Sequence, residues 1–436
     1  MDLVVAFVFF AGAMAVDLGC DLPMFWAMIA GYFAFVAVGL RRGYTLGGLL
    51  KMSWSGAKDS LIVVRVLLLI GVLTGLWRSA GTFAFLVTWG MRLINPSLFI
   101  LAAYALSCGL SYAIGTSFGV AGTLGVALMA LARGGGANEL VAAGAIMSGI
   151  YFGDRCSPAS SCANLVASLT GTELYDNIRL MMKTSLAAVG CCGLFYYLLS
   201  LAYPMPRAGS GMILSLEKSF DLTLWVIVPA IIMFVMPLLK VRSLYAFLAS
   251  IAFAWGCTVY FQHASWGDSL RYAALGFSAE PCSAAALFNG GGLMSMLDMC
   301  AVLFISGTYL GIFDGTHMLD GLQGRLAGLM RRTSSFAALT LVGVLANGIF
   351  CNQTIGVMMT AQMMKRPYER AGLGRTELAQ DIANSTVVTA GLIPWCIASS
   401  APLAMLEVSA RALPYAAYLY LLPLSYALTK KIWFKS

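Results

Sequence analysis

The sequence predicts an all-α integral membrane protein with about 11–13 transmembrane segments, in two structural repeats with discontinuous helices and re-entrant hairpins. Three observations carry that expectation. Sixty per cent of the 436 residues are hydrophobic and only 11% are charged, too few to wet the surface of a soluble domain, which carries about a quarter. The apolar residues fall in long runs separated by short charged clusters, and a run of about 20 crosses the hydrocarbon core as a helix. Short patterns also recur along the chain at a nearly constant offset.

Hydropathy places spans near residues 3–17, 23–40, 60–77, 97–114, 119–133, 139–153, 184–203, 222–239, 242–259, 296–313, 334–350, 376–392 and 414–429. Segments 97–114 and 119–133 read as halves of one interrupted helix; 79–95 and 315–332 read as amphipathic or re-entrant. The stretch 261–295, with Gly290-Gly291-Gly292, is the longest connection without a span. The organisation expected is N-terminal spans (1–58), a first repeat (59–203), connecting spans and loop (204–295), and a second repeat with a C-terminal span (296–436).

Arg41, Arg42, Lys51 and Lys58 share one loop and Lys430, Lys431 and Lys435 close the sequence, whereas Asp17 and Asp21 are the charges between the first two spans. Basic loops stay cytoplasmic, so both termini are expected inside a multi-pass protein of the cell (inner) membrane. The N-terminal run lacks a basic leader, so no cleaved signal peptide is expected. The net charge of +8 belongs to these loops and calls for no nucleic-acid partner. The partners expected are the bilayer and a small ion or solute.

Gly71-Val-Leu-Thr-Gly75 matches Gly307-Thr-Tyr-Leu-Gly311 at an offset of 236, Gly115-Thr-Ser-Phe-Gly119 meets Asn352-Gln-Thr-Ile-Gly356 at 237, and Pro158 meets Pro394 at 236. Transporters are often built from such repeats, with the substrate near the midplane between broken helices.

Polar residues inside spans are costly and mark a pathway or a packing contact. The densest cluster runs from Asp154 to Asn164 and includes Ser157, Pro158, Ser160 and Ser161. Pro158 removes an amide donor and disfavours helix at Ser157, and the freed carbonyls with Ser and Asn oxygens can hold a cation such as Na⁺. Asp154 would supply its charge or a titrating proton; equally, the cluster could be a surface loop with Asp154 paired to Arg155. Gly115 and Gly119 flank Thr116 and Ser117 and permit unwinding, or close helix packing. Gln353 and Thr354, and Asn384 and Ser385 with Pro394, are the second-half counterparts. Arg65 reads as a snorkelling residue or a counter-ion. Asp298, Asp314 and Glu407 lie near span ends, and His317 sits beside Asp314. Eleven cysteines without a Cys-x-x-Cys pair act as small apolar residues. No phosphate loop, zinc helix or nucleophile elbow appears, so neither an enzyme nor a cofactor is expected.

At its two breaks the chain resembles the NhaC-type Na⁺/H⁺ antiporter family. The resemblance is carried by Gly115-Thr-Ser-Phe-Gly-Val-Ala-Gly-Thr-Leu-Gly125, Ala145-Ile-Met-Ser-Gly-Ile-Tyr-Phe-Gly-Asp-Arg-Cys-Ser-Pro158, Gly292-Leu-Met-Ser-Met296 and Leu392-Ile-Pro-Trp395. It spans roughly residues 60–425 and implies coupled antiport, Na⁺ or H⁺ as the coupling ion, two repeats with re-entrant hairpins, and often a homodimer. The family commonly reads Leu-Ser-Asp-Thr-Thr-Asn after Ser-Pro. Here Ser161 stands at the acid, Cys162 and Ala163 at hydroxyl residues, and Asn384 near a second expected Asp. The first expectation is Na⁺/H⁺ antiport at Asp154, lined by Thr116, Ser117, Ser157, Ser160, Ser161 and Asn164 and faced by Gln353, Thr354, Asn384 and Ser385. The alternative is Na⁺- or H⁺-coupled transport of an amino or organic acid, which a site richer in Ser, Asn and Cys suits; a channel through the same breaks is a third reading.

Overall fold

The computed structural model describes residues 2–20, 25–93, 95–205, 217–239, 241, 243–279, 289–316 and 334–434. In chain order the helices begin with α1 (Asp2–Cys20), α2 (Phe25–Arg41), α3 (Leu46–Ser79), α4 (Thr82–Leu93), α5 (Phe99–Ile114), α6 (Ser117–Gly134), α7 (Glu139–Cys156), α8 (Ser161–Thr170) and α9 (Leu174–Ala202). They continue with α10 (Val228–Leu238), α11 (Ser243–Tyr260), α12 (Trp266–Leu275), α13 (Leu297–Thr316), α14 (Ser335–Phe350), α15 (Gln353–Arg370), α16 (Arg375–Leu392), α17 (Ile397–Met405) and α18 (Tyr418–Trp433). Among the described residues the one pairing of β type is an isolated bridge between Phe277 and Gly290.

Every span expected from hydropathy falls on a helix. Four helices among the described residues are long and apolar enough to cross a membrane, and two bent pairs raise the number to six. That is fewer full-length crossings than expected, because several apolar runs are broken inside the bundle or form helices of only 10–17 residues. The amphipathic segment 79–95 is α4, turned 69° from α3. From residue 317 to 333 the counterpart segment, His317 included, lies outside the described residues.

Two breaks have the same backbone. α5 stops at Gly115 (φ 77°, ψ 20°), and Thr116 (φ −142°, ψ 126°) opens α6 by accepting the Gly119 amide at 3.4 Å. α14 stops at Cys351 (φ 54°, ψ 18°), and Asn352 (φ −144°, ψ 122°) opens α15 by accepting the Thr354 amide at 2.9 Å. Glycine reaches that left-handed conformation at no steric cost. Side chains repeat the correspondence: Ser111 donates to the Ile150 carbonyl at 2.5 Å, and Asn347 donates to the Thr386 carbonyl at 2.7 Å. The tip of each hairpin packs on the break that follows it in sequence. Gly115 lies against Ala159 and Ser160, and the Cys351 carbonyl accepts from the Ile397 amide at 2.9 Å.

Those following breaks are made by proline. α7 ends at Ser157 before Pro158, and Ser160 opens α8 by accepting the Cys162 and Ala163 amides at 3.1 and 3.2 Å. α16 ends before Pro394 and is inclined 54° to α17. The two broken helices run in opposite directions. Arg133 reaches both Glu139 at the start of α7 (2.9 Å) and Glu407 beyond the end of α17 (3.0 Å), whereas Arg375 at the start of α16 lies against Gly171 beyond α8.

At their closest approach α3 and α13 meet backbone to backbone. A Cβ at Gly56 would come 2.3 Å from the Gly307 carbonyl oxygen and 2.4 Å from the Gly311 nitrogen. A Cβ at Gly71 would come 2.7 Å from the Gly292 carbonyl oxygen. Small residues let helices approach this closely, which is the main source of helix association in lipid. α1 and α2 then pack on α13 through Phe10, Phe35, Tyr309 and Phe313. Asp17 accepts the Ala27 amide at 2.9 Å and so serves the first turn of α2.

Gly56→Val will force these backbones apart and destabilise the fold by about 1–3 kcal/mol, the usual cost of overpacking. Gly12→Val, at a position with open space around it, is the control. Thermal unfolding in detergent reads both, and an unchanged midpoint for Gly56→Val would contradict the close crossing.

Candidate functional site

The two hairpin tips meet at Asp154. Its carboxylate accepts from Gln353 Nε2 at 3.2 Å and lies near the Ser117 amide at the start of α6. Gln353 also donates to the Val387 carbonyl of α16 at 2.9 Å. The α7 carboxylate is thus approached by α6 and α15, and Gln353 ties it to α16. The positive end of the α6 dipole favours an anion there. Asp154 is 6% exposed and has no basic side chain within ion-pair distance among the described residues. A buried carboxylate held by neutral donors can exchange a proton for a small cation without breaking an ion pair.

The other expected residues divide by position. Thr116, Ser157 and Ser160 shape the breaks: Ser157 accepts the Ala159 amide at 3.2 Å, and Ser160 donates to the Asp154 backbone carbonyl. Asn164 donates to the Ser160 carbonyl at 2.7 Å, and both Asn164 and Ser161 are exposed on α8. Thr354 is exposed on α15. Asn384 and Ser385 are buried but do not face Asp154: Ser385 donates to the Asp381 carbonyl at 2.6 Å, and Asn384 faces Arg155. Gly119 belongs to the first turn of α6, and Pro394 to the second break. Arg65 is exposed on α3, and Asp298 on α13.

Arg155 is not paired with Asp154, nor does it lie at a surface. It is 1% exposed and points the other way. Its Nη2 donates to Asn384 Oδ1 at 2.7 Å and to Thr184 and the Met181 carbonyl at 3.0 Å; Nη1 donates to Tyr418 at 3.0 Å and to Ser185. None of these partners is a carboxylate. Helix geometry explains the separation: consecutive residues project to different sides.

A second charged cluster escaped the sequence reading. Asp381 on α16 is fully buried and accepts from Tyr368 (2.5 Å), Tyr426 (2.8 Å) and Lys430 (2.5 Å), while Lys430 also pairs with Glu377 at 2.8 Å. The signal available was Glu377 and Asp381 one helical turn apart within an expected span; their partner on α18 is distant in sequence. At the opposite end of the broken helices, Glu407 pairs with Arg78 and Arg133 beside a cavity of about 200 Å³. Glu139, on that cavity, lies about 22 Å along α7 from Asp154 at 1.5 Å per residue.

The family model described as "Na+/H+ antiporter family" matches residues 3–163 and 149–429. The chain is 28% identical over 400 residues to the malate-2H⁺/Na⁺-lactate antiporter of Bacillus subtilis (strain 168), covering 90% of this chain and 86% of that one. It is 25% identical to the arginine/ornithine antiporter ArcD of Halobacterium salinarum, covering 88% and 80%. It is 23% identical to the Na⁺/H⁺ antiporter NhaC of Bacillus subtilis, covering 92% and 90%.

Lys430→Met will leave Asp381 and Glu377 facing each other without their cation, a loss of about 3–5 kcal/mol when one member of a buried pair is removed. Adding Asp381→Asn and Glu377→Gln to that variant should recover most of the loss. Unfolding midpoints of the single and triple variants decide it; a single variant as stable as the parent would remove the cluster from the energetics of α16 and α18.

Proposed function

Because the chain belongs to the Na⁺/H⁺ antiporter family, we propose that this multi-pass membrane protein is a secondary transporter that exchanges Na⁺ for H⁺ at Asp154 by alternating access. The observation that carries the reading is the meeting of both hairpin tips, Gln353 by a hydrogen bond and the start of α6 by proximity, at a buried carboxylate that pairs with no basic side chain among the described residues. Na⁺ and H⁺ are alternative occupants of that group, so one must leave before the other binds. Competition of this kind couples the two fluxes.

Two inverted repeats, 59–203 and 296–436, supply the moving parts. The left-handed backbone at both Gly115 and Cys351, the matched bonds Ser111–Ile150 and Asn347–Thr386, and the opposite directions of the two broken helices support that assignment. Exchange of conformation between such repeats opens a midplane site first to one side and then to the other. The Arg78–Glu407–Arg133 cluster closes one end and the Lys430–Glu377–Asp381 cluster the other. Asp154 and Arg155 stand opposite Ala390 and Gly391 in the second half, so one repeat carries the charge and its partner supplies the neutral carboxamide of Gln353.

The test is purified protein in sealed liposomes with a pH dye inside and an imposed Na⁺ gradient. Na⁺-driven proton movement is expected, lost in Asp154→Asn and reduced about tenfold or more in Gln353→Leu, which removes a donor from the carboxylate. Full flux in correctly inserted Asp154→Asn would transfer the site elsewhere.

A further inference from the structure

Arg155 is the buried charge that cation exchange at Asp154 leaves unused. We propose that its guanidinium is the recognition site for the carboxylate of a small organic anion, which occupies the carrier together with the cation at Asp154. The inference rests on the reading of Asp154 as the cation site and adds the class of co-substrate.

The first argument is charge balance. Asp154 and Arg155 are both buried, at 6% and 1% exposure, and neither meets an opposite charge among the described residues. Empty, the pair sums to zero. A cation or proton on Asp154 cancels the negative member and leaves one uncompensated guanidinium in a low-dielectric interior, where an unpaired charge is costly. An organic anion at Arg155 restores neutrality, so each ligand improves the site for the other.

The second argument is hydrogen bonding. Arg155 Nε is buried and has no partner among the described residues, while a neighbouring Nη is held by neutral acceptors. Nε and Nη together form the planar edge that takes a carboxylate through two parallel bonds. The best-placed neutral acceptor is Asn384 Oδ1, at 2.7 Å. Asn384 sits immediately before Ser385, where α16 is already kinked (φ −130°, ψ −78°), so the carboxamide lies on the segment best able to withdraw. Thr184, Ser185 and Tyr418 place hydroxyls around the guanidinium, which suits a short polar acid and not a fatty one.

The competing role is a tether joining α7, α9, α16 and α18, which would make Arg155 important for stability without any anion. Ligand protection separates the two. Thermal unfolding of the full-length protein is followed in NaCl or choline chloride, with lactate or succinate as probes and lactamide or succinamide as neutral controls. The expected result is protection by at least one carboxylate and by neither amide, with half-saturation about tenfold lower in Na⁺ than in choline. Arg155→Lys keeps the charge but loses the fork, and should raise that half-saturation about tenfold; Arg155→Gln should abolish protection. Should the Gln variant not fold, the Lys variant and the wild type decide. Absence of carboxylate protection in the wild type, or an unshifted half-saturation in Arg155→Lys, overturns the proposal. Na⁺ protection without any carboxylate, lost in Asp154→Asn, is read in the same experiment, so the cation site stands or falls separately.

Discussion

A helix that stops inside a bilayer exposes amides and carbonyls with no water to receive them, and unmatched groups there cost several kcal/mol each. The centre of this protein is organised by how those groups are matched. At the first hairpin the start of α6 faces Asp154, and at the second Gln353 donates to the same carboxylate while satisfying the Val387 carbonyl. Ser160 closes the start of α8, and Asn352 the start of α15. The breaks are therefore tolerated because they bind one another, with a buried carboxylate at their meeting point.

Beside the hairpins, the glycine crossing of α3 with α13 lets two further backbones meet closely. Charged clusters stand away from the breaks, where α7 and α16 begin, so that cations and carboxylates are paired at the ends and left single in the middle. A single charge in the middle is expensive as structure and useful as a binding site.

Much of this was legible in the sequence. Gly115, Pro158 and Pro394 announce the breaks through conformational rules that operate one residue at a time, whereas the expected match of Gly115 with Asn352 is one residue out, since the left-handed backbone falls at Cys351. Asp154 stood out because it adjoins such a break. What stayed hidden depends on direction and distance. Hydropathy cannot tell that Arg155 turns away from Asp154 and towards Asn384. It also passes over α15, whose residues are too polar to read as a span although its Gly356, Val357 and Thr360 are buried within the bundle. The partnership of Asp381 with Lys430 joins helices that no local pattern connects.

The central claim is that one carboxyl, Asp154, holds either Na⁺ or H⁺. Calorimetric titration of the purified protein with Na⁺ across a range of pH tests it most directly. Competition for a single group predicts one Na⁺ site whose apparent Kd rises as pH falls, approaching about tenfold per pH unit once the group is mostly protonated, with no binding in Asp154→Asn. A Kd that does not change with pH, or undiminished Na⁺ binding in Asp154→Asn, would contradict the account.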